Sequence, residues 1–228
     1  SGGNKAVKYY ISGAFDRQEG IMKQNPDVFN KYNLRSKIDF KINKWARLSN
    51  NTSFYSSTYD YIGVGNVQNA IAYSNRHGLA CFPLKNPDGT WIGEIPEYLK
   101  DYRVANGRHI VYGNDNNVNY ENKTDFANTT ELTITPVKQF KLIANFTYRF
   151  HQNRDTHRST NMEYSANPDG TLMYYRKGAG ENSLTESFAT YNYLAANVFG
   201  TYEDTFKDAH HVTAMAGFNY ETRHRKDV

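Results

Sequence analysis

The chain has 228 residues, 39% of them hydrophobic and 15% aromatic, with 19 Tyr, 13 Phe and a formal net charge of +4. That length suits one large domain or a piece of something bigger, and the aromatic load excludes a disordered chain despite a mean hydropathy of −0.78. Positive charge is spread along the chain with no basic run, so nothing points to nucleic acid. Cys81 is the sole cysteine, which excludes an internal disulfide and argues against a thiolate metal site. The opening SGGNKAVKYY has no apolar leader, and no run of about 18 apolar residues would make a transmembrane helix. A transmembrane β-strand stays open, since it needs only about 9–11 alternating residues.

In chain order, apolar and polar residues alternate with a period of two, the mark of strands. The first run sets Val7, Tyr9, Ile11, Gly13 and Phe15 against Lys8, Tyr10, Ser12, Ala14 and Asp16. Residues 16–30 read as a loop, around Gly20 and Asn25-Pro26-Asp27. Next comes YNLRSKIDFKINKW, with Tyr32, Leu34, Ser36, Ile38, Phe40 and Ile42 on one face. Its other face is Asn33, Arg35, Lys37, Asp39, Lys41 and Asn43. A tight turn at NKWA leads to Leu48, Asn50, Thr52 and Phe54, where Asn50 spoils the apolar side. From 59 to 121 the period vanishes; so long an irregular stretch points to function, and its best helical candidate is 96–107.

Alternation returns at Thr124, Phe126, Asn128, Thr130, Leu132 and Ile134, and Pro136 is expected to end it. The cleanest run follows: Phe140, Leu142, Ala144, Phe146, Tyr148 and Phe150, against Lys141, Ile143, Asn145, Thr147, Arg149 and His151. Residues 152–182 are a second irregular stretch. A long run from Phe188 to Tyr202 and a last one from Val212 to Tyr220 complete seven strands.

The connections alternate long and short. In antiparallel up-and-down order the short turns then share one end and the long loops the other. Such alternation fits either a soluble sandwich over a core or an outer-membrane barrel between lipid and a wet lumen. Three features favour the barrel: strands longer than the usual 5–6 residues or so, the sorting of turns from loops, and aromatics at strand ends. The expected fold is therefore all-β, an antiparallel up-and-down transmembrane barrel. Seven strands cannot close such a barrel, so the chain reads as a segment of one, forming a single domain over 1–228. On this reading Arg35, Lys37, Asp39, Lys41 and Arg149 face the lumen. Leu34, Ile38, Phe40, Ile42, Leu142, Phe146, Val212 and Phe218 face lipid.

The stretch KYYISGAFDRQEGIMK…FNKYNLRSKIDFKINKWARLSNNTSFYSS resembles the barrel domain of SusC-like, or RagA-like, TonB-dependent outer-membrane transporters of the Bacteroidetes. The motifs that carry the likeness are YYISGAF, QEGI, YNLRSKIDFKINKW and HHVTAMAGFNYE. It covers residues 5–60 and 182–221 well and the two long loops weakly. The resemblance implies an outer-membrane importer of large nutrients, oligosaccharide or peptide. It also implies a barrel of 22 strands, a plug domain and TonB coupling outside this chain, and a SusD-like surface lipoprotein as partner.

Contacts with cargo or lipoprotein are expected in the long loops, with Trp91, Tyr98, Tyr102 and Tyr112 as candidates; packing of the loop on itself accounts equally well for them. Asp39 and Glu131 are better read as lumen charges than as a catalytic pair. His210 and His211 are neighbours on a strand and point to opposite faces, which does not suit a metal. The two NPDGT pieces read as turns, and the sequons at Asn122 and Asn145 as chance. No catalytic, cofactor or metal motif is present, so no enzyme is expected. The rival readings are a passive or structural barrel, a soluble carbohydrate-binding β module, and a secreted β-sheet enzyme.

Overall fold

The computed structural model describes residues 1–21, 25–62, 83, 85–92, 118–165, 172–175, 182–207 and 209–228. Its strands are β1 (Gly2–Gly3), β2 (Val7–Glu19), β3 (Val28–Lys41), β4 (Ala46–Ile62), β5 (Val118–Val137), β6 (Phe140–Ser159), β7 (Met162–Tyr164), β8 (Met173–Tyr175), β9 (Ser183–Phe206) and β10 (His210–Asp227). One sheet holds all but the β7–β8 pair, in the order β1-β2-β3-β4-β5-β6-β9-β10, and every neighbour is antiparallel. Sequence neighbours are thus spatial neighbours, the up-and-down order expected of the seven long strands.

Register makes the two faces explicit. One rung across the long strands is Val7–Phe40–Leu48–Leu132–Ala144–Val198–Phe218. One residue along, the next is Lys8–Asp39–Ser49–Glu131–Asn145–Asn197–Asn219. Because directly paired residues share a face and successive residues alternate, each strand contributes to one apolar and one polar face. Leu34, Ile38, Phe40, Leu142, Phe146, Val212 and Phe218 fall together on the apolar face. Arg35, Lys37, Asp39, Lys41 and Arg149 fall together on the polar face. Ile42 lies just beyond β3, in the turn.

The apolar face has no second layer. Among the described residues only Ala46, Tyr164 and Ala195 are buried hydrophobics, while Ile11 is 58%, Leu34 52% and Phe218 68% exposed. A soluble sandwich would bury such a face, since water-soluble monomers rarely expose apolar patches beyond a few hundred Å².

The band also climbs across the sheet. Ile11, the middle of the apolar run on β2, shares a rung with Leu194 and Thr222. The middle of the run on β10 is Ala216, six residues nearer the turn. A slip of six residues at about 3.3 Å, over six strand steps of about 4.8 Å, is a slope of about 35°. Strands of outer-membrane barrels tilt by about 35–45°, so a level apolar belt drawn on tilted strands must slip in this way.

The short turns are built locally. In the β3–β4 turn Asn43 Oδ1 accepts from the N–H of Trp45 (2.9 Å) and of Ala46 (2.8 Å), as a side chain that mimics a backbone turn does. Pro136 does not end β5; the strand runs to Val137, and the proline lies in an irregularity between Ile134 and Val137, where no ladder donor is needed. At the other end the strands outrun the expected loops. β2 reaches Glu19 and β3 starts at Val28, β4 reaches Ile62 and β5 starts at Val118, and β6 reaches Ser159. The expected loops at 16–30, 59–121 and 152–182 are correspondingly shorter, and the last carries the small β7–β8 pair. The helical candidate at 96–107, with Tyr98, Tyr102 and Tyr112, lies outside the described residues, as does Cys81.

Gly217 of β10 lies under Phe199 of β9. A Cβ there would stand 2.8 Å from the Phe199 Cβ and 3.2 Å from the Val198 carbonyl oxygen. Gly217→Val is expected to destabilise the β9–β10 hairpin by about 1–3 kcal/mol through overpacking, read as a lower urea midpoint in detergent.

Candidate functional site

The polar face is where chemistry can be displayed, and its loop end on β2–β5 forms a groove. A cavity of about 470 Å³ is lined there by Glu19, Asp27, Phe29, Tyr59, Glu121 and Lys123, with the buried Ser57 at 4% exposure. A second, of about 480 Å³, shares Tyr55 with it and continues down the strands past Tyr10, Asn33, Arg35 and Asp125.

Strand alternation places these side chains. Tyr55, Ser57, Tyr59 and Tyr61 follow one another along the polar side of β4. Tyr59 meets the edge of Phe29, with which it is paired across β3–β4, and stacks on Tyr61 at 4.6 Å between centroids. Its hydroxyl donates to Asp27 Oδ2 at 3.1 Å. That carboxylate is in turn placed by the closure of the β2–β3 loop, where the Gly20 N–H donates to the Asp27 carbonyl at 2.7 Å and Asn25 takes a φ of 47°. Asn tolerates this left-handed conformation better than most residues.

Charges in and beside the groove stand as neighbouring pairs of opposite sign. Lys31 Nζ contacts Asp16 Oδ2 at 2.8 Å, and Lys123 pairs with Glu121. Asp125 stands between Arg149 Nε (3.6 Å) and His151 Nδ1 (3.4 Å). Two of the expected lumen residues therefore belong to the groove: Arg35 lines it and Arg149 holds the carboxylate at its far wall. Aromatic edges beside paired charges suit a polar ligand with ring or aliphatic faces.

Other expected residues lie apart. Asp39 and Glu131 share a rung but are separated by Ser49, whose hydroxyl donates to Asp39 at 2.6 Å. Lys41 stands opposite Arg47, and Lys37 opposite Tyr10 and Asn51. Asn145 accepts from Asn197, which accepts from Asn219, so that sequon asparagine is part of a side-chain ladder. His211 contacts Glu203 at 3.3 Å.

Trp91 sits beside a turn. Gly89 has a φ of 89°, its N–H donates to the Asn86 carbonyl, and Asp88 accepts from the Thr90 hydroxyl and N–H at 2.6 and 2.9 Å. These donors hold the Asp88 carboxyl below its ordinary pKa. The first NPDGT piece is thus a turn. Lys85 Nζ lies 4.3 Å from the Trp91 ring centroid, and the Trp91 carbonyl accepts from Ser165, tying the two loops together. Its ring is engaged by its own loop.

Sequence reading missed the upper groove because Glu19, Asp27 and Phe29 lie in a stretch read as a loop. The signal was present as Tyr55, Tyr59 and Tyr61 at period two, running on beyond the apolar alternation.

No family model matches the chain. A TonB-dependent receptor of Formosa agariphila, a member of the Bacteroidetes, is 26% identical over 221 residues, 97% of this chain and 19% of that protein. Among solved structures, the RagAB peptide transporter matches 100% of this chain and 24% of its own, with a TM-score of 0.59 and 18% identity. The RagAB peptide importer in its closed-closed state matches 99% and 24%, with a TM-score of 0.59 and 17% identity. The chain spans about a fifth of the receptor and about a quarter of each transporter chain. In sequence, over nearly its whole length, the chain is similar to a TonB-dependent receptor of the Bacteroidetes, and in fold it is similar to part of the RagAB transporter.

Proposed function

We propose that this chain is part of the barrel wall of a TonB-dependent outer-membrane importer of large nutrients, oligosaccharide or peptide. The observation that carries the reading is the uncovered apolar band, slipped across the sheet at the slope of tilted membrane strands. The whole-length likeness to a TonB-dependent receptor supports the energy coupling. On this reading the apolar face meets lipid and the polar face a wet lumen, with the long loops outside the cell. The chain's own role is to wall the lumen and present the groove to passing cargo, with no covalent chemistry. The plug and the TonB contact belong to the rest of the polypeptide, in a barrel of 22 strands, and a SusD-like lipoprotein covers the mouth. Trp91 lies among the outer loops where cargo or that lipoprotein arrives.

The test is fractionation of the intact polypeptide. It is expected in the outer membrane, released only by detergent, with a mass several times 26.2 kDa. A soluble species of 26.2 kDa would end the importer reading and leave a free-standing β module.

A further inference from the structure

The loop end of the polar-face groove carries more negative charge than its cations balance. Asp27 lines the cavity of about 470 Å³ on the β3 side of Tyr59, whose hydroxyl donates to it. Among the described residues no cation stands against the Asp27 carboxylate. Glu121, on the β5 side of Tyr59, is paired with Lys123, and Glu19 with Arg17. Asp155 continues the rung past Glu121 and accepts from the Asn153 amide at 2.8 Å. Four carboxylates thus meet two cations here. Further down the groove Lys31 answers Asp16, Arg149 answers Asp125, and Arg35 adds a cation, so the surplus is confined to the loop end.

A second observation points to an occupant. Ser57, between Tyr55 and Tyr59 on the same side of β4, lines this cavity at 4% exposure. Among the described residues its hydroxyl has no hydrogen-bond partner, whereas buried polar groups are ordinarily paired. Phe29 and Tyr55 border the same space and offer apolar contact beside the charges. Among the described residues no three of His, Cys, Asp or Glu converge as metal ligands would. Carboxylates spread around a cavity of this size suit an organic cation instead.

We infer that the loop end of the groove is a subsite for the basic side chain of an extended peptide. The inference rests on the importer reading and narrows its cargo. The ammonium or guanidinium head donates to Asp27 and to the Ser57 hydroxyl, and a donor facing a carboxylate makes the stronger kind of hydrogen bond. The methylene stem lies along Phe29 and Tyr55, as the stems of such side chains do on apolar surface. Tyr55, Ser57 and Tyr59 recur every two residues, about 6.6 Å, the step at which an extended peptide presents alternate side chains. A sugar ring would instead need open aromatic faces, and Tyr59 and Tyr61 stack on each other.

The test uses the full-length protein in detergent, titrated with the end-capped peptide Ala-Lys-Ala-Lys-Ala, the same peptide acetylated on its lysines, and a glucosamine tetramer. The wild type is expected to bind the lysine peptide about tenfold or more tightly than the acetylated one, the size of one charge-assisted hydrogen bond. Asp27→Asn is expected to abolish that preference, while Glu131→Gln, on the same face near the short turns, keeps it. Lys123→Gln leaves Glu121 unanswered and is expected to widen the preference about threefold, a gain that faulty assembly cannot produce. A wild type without preference, an Asp27→Asn variant that retains it in full, or a Lys123→Gln variant that narrows it would overturn the assignment. A glucosamine tetramer bound as tightly as the lysine peptide would overturn its restriction to peptides. Absence of the protein from the outer membrane would instead overturn the importer reading.

Discussion

Phe40→Arg and Leu142→Arg are each expected to prevent assembly into the outer membrane, whereas Lys37→Gln leaves it intact. Phe40 and Leu142 lie within the apolar band, on rungs with Leu48 and Ile134 respectively, while Lys37 lies on the opposite face with Tyr10 and Asn51. A cation turned to lipid near the bilayer midplane costs about 2–4 kcal/mol, against a total stability of only about 5–15 kcal/mol. Neutralising a charge that faces water costs within about 0.5 kcal/mol. The measurement is the fraction of protein running as a compact, heat-sensitive band on a gel of outer membranes. Equal tolerance of all three changes would mean that the assignment of faces is wrong.

The second large effect concerns the polar residues inside the apolar band. Asn50 and Thr52 on β4, and Asn128 and Thr130 on β5, interrupt it between Leu48 with Leu132 and Phe54 with Phe126. They satisfy one another. Asn50 Nδ2 donates to Thr130 at 2.9 Å, Asn128 Nδ2 to Thr52 at 2.6 Å, and Thr52 Oγ1 to Asn50 at 2.9 Å, with longer contacts closing the set. On the proposed lipid-facing reading, removing one member strands the others in an environment without water, so Asn128→Leu is expected to destabilise by about 1–3 kcal/mol. Replacing all four with Leu and Val strands nothing and is expected to be neutral or stabilising, because a closed polar network breaks even at best against apolar packing. Urea unfolding in detergent of the single and fourfold variants decides it. A fourfold variant weaker than Asn128→Leu would show that the network contributes more than mutual satisfaction.

These two cases also show what was legible in the sequence. The strand order, the two faces and the residues on each were readable because a sheet with one apolar and one polar face forces strict alternation through the band, as in Phe140 to Phe150. Strand ends at the loop side were not, because beyond the band both faces carry polar residues and alternation loses its cause while the backbone ladder continues. Tyr55, Thr58, Tyr59 and Asp60 look like loop by composition yet pair regularly with Asn33, Asn30, Phe29 and Val28. Pro136 read as a terminator because sequence does not reveal the irregularity that lets a missing N–H go unmissed. The groove needed that hidden strand length, since Glu121 and Lys123 meet Tyr59 and Ser57 only if β4 and β5 stay paired that far.

The length of β9 has a mechanical consequence. Its last band residue toward the loops is Leu194, and the strand goes on to Ser183, eleven residues further. At about 3.3 Å per residue and a lean of about 35°, that carries a hydrogen-bonded collar about 30 Å beyond the apolar band. Over this height the strand pairs throughout with β6, which makes the collar far stiffer than a ring of loops of the same span. On the barrel reading proposed above, a load applied at the top of the collar passes down the strands to the apolar band instead of being absorbed by bending.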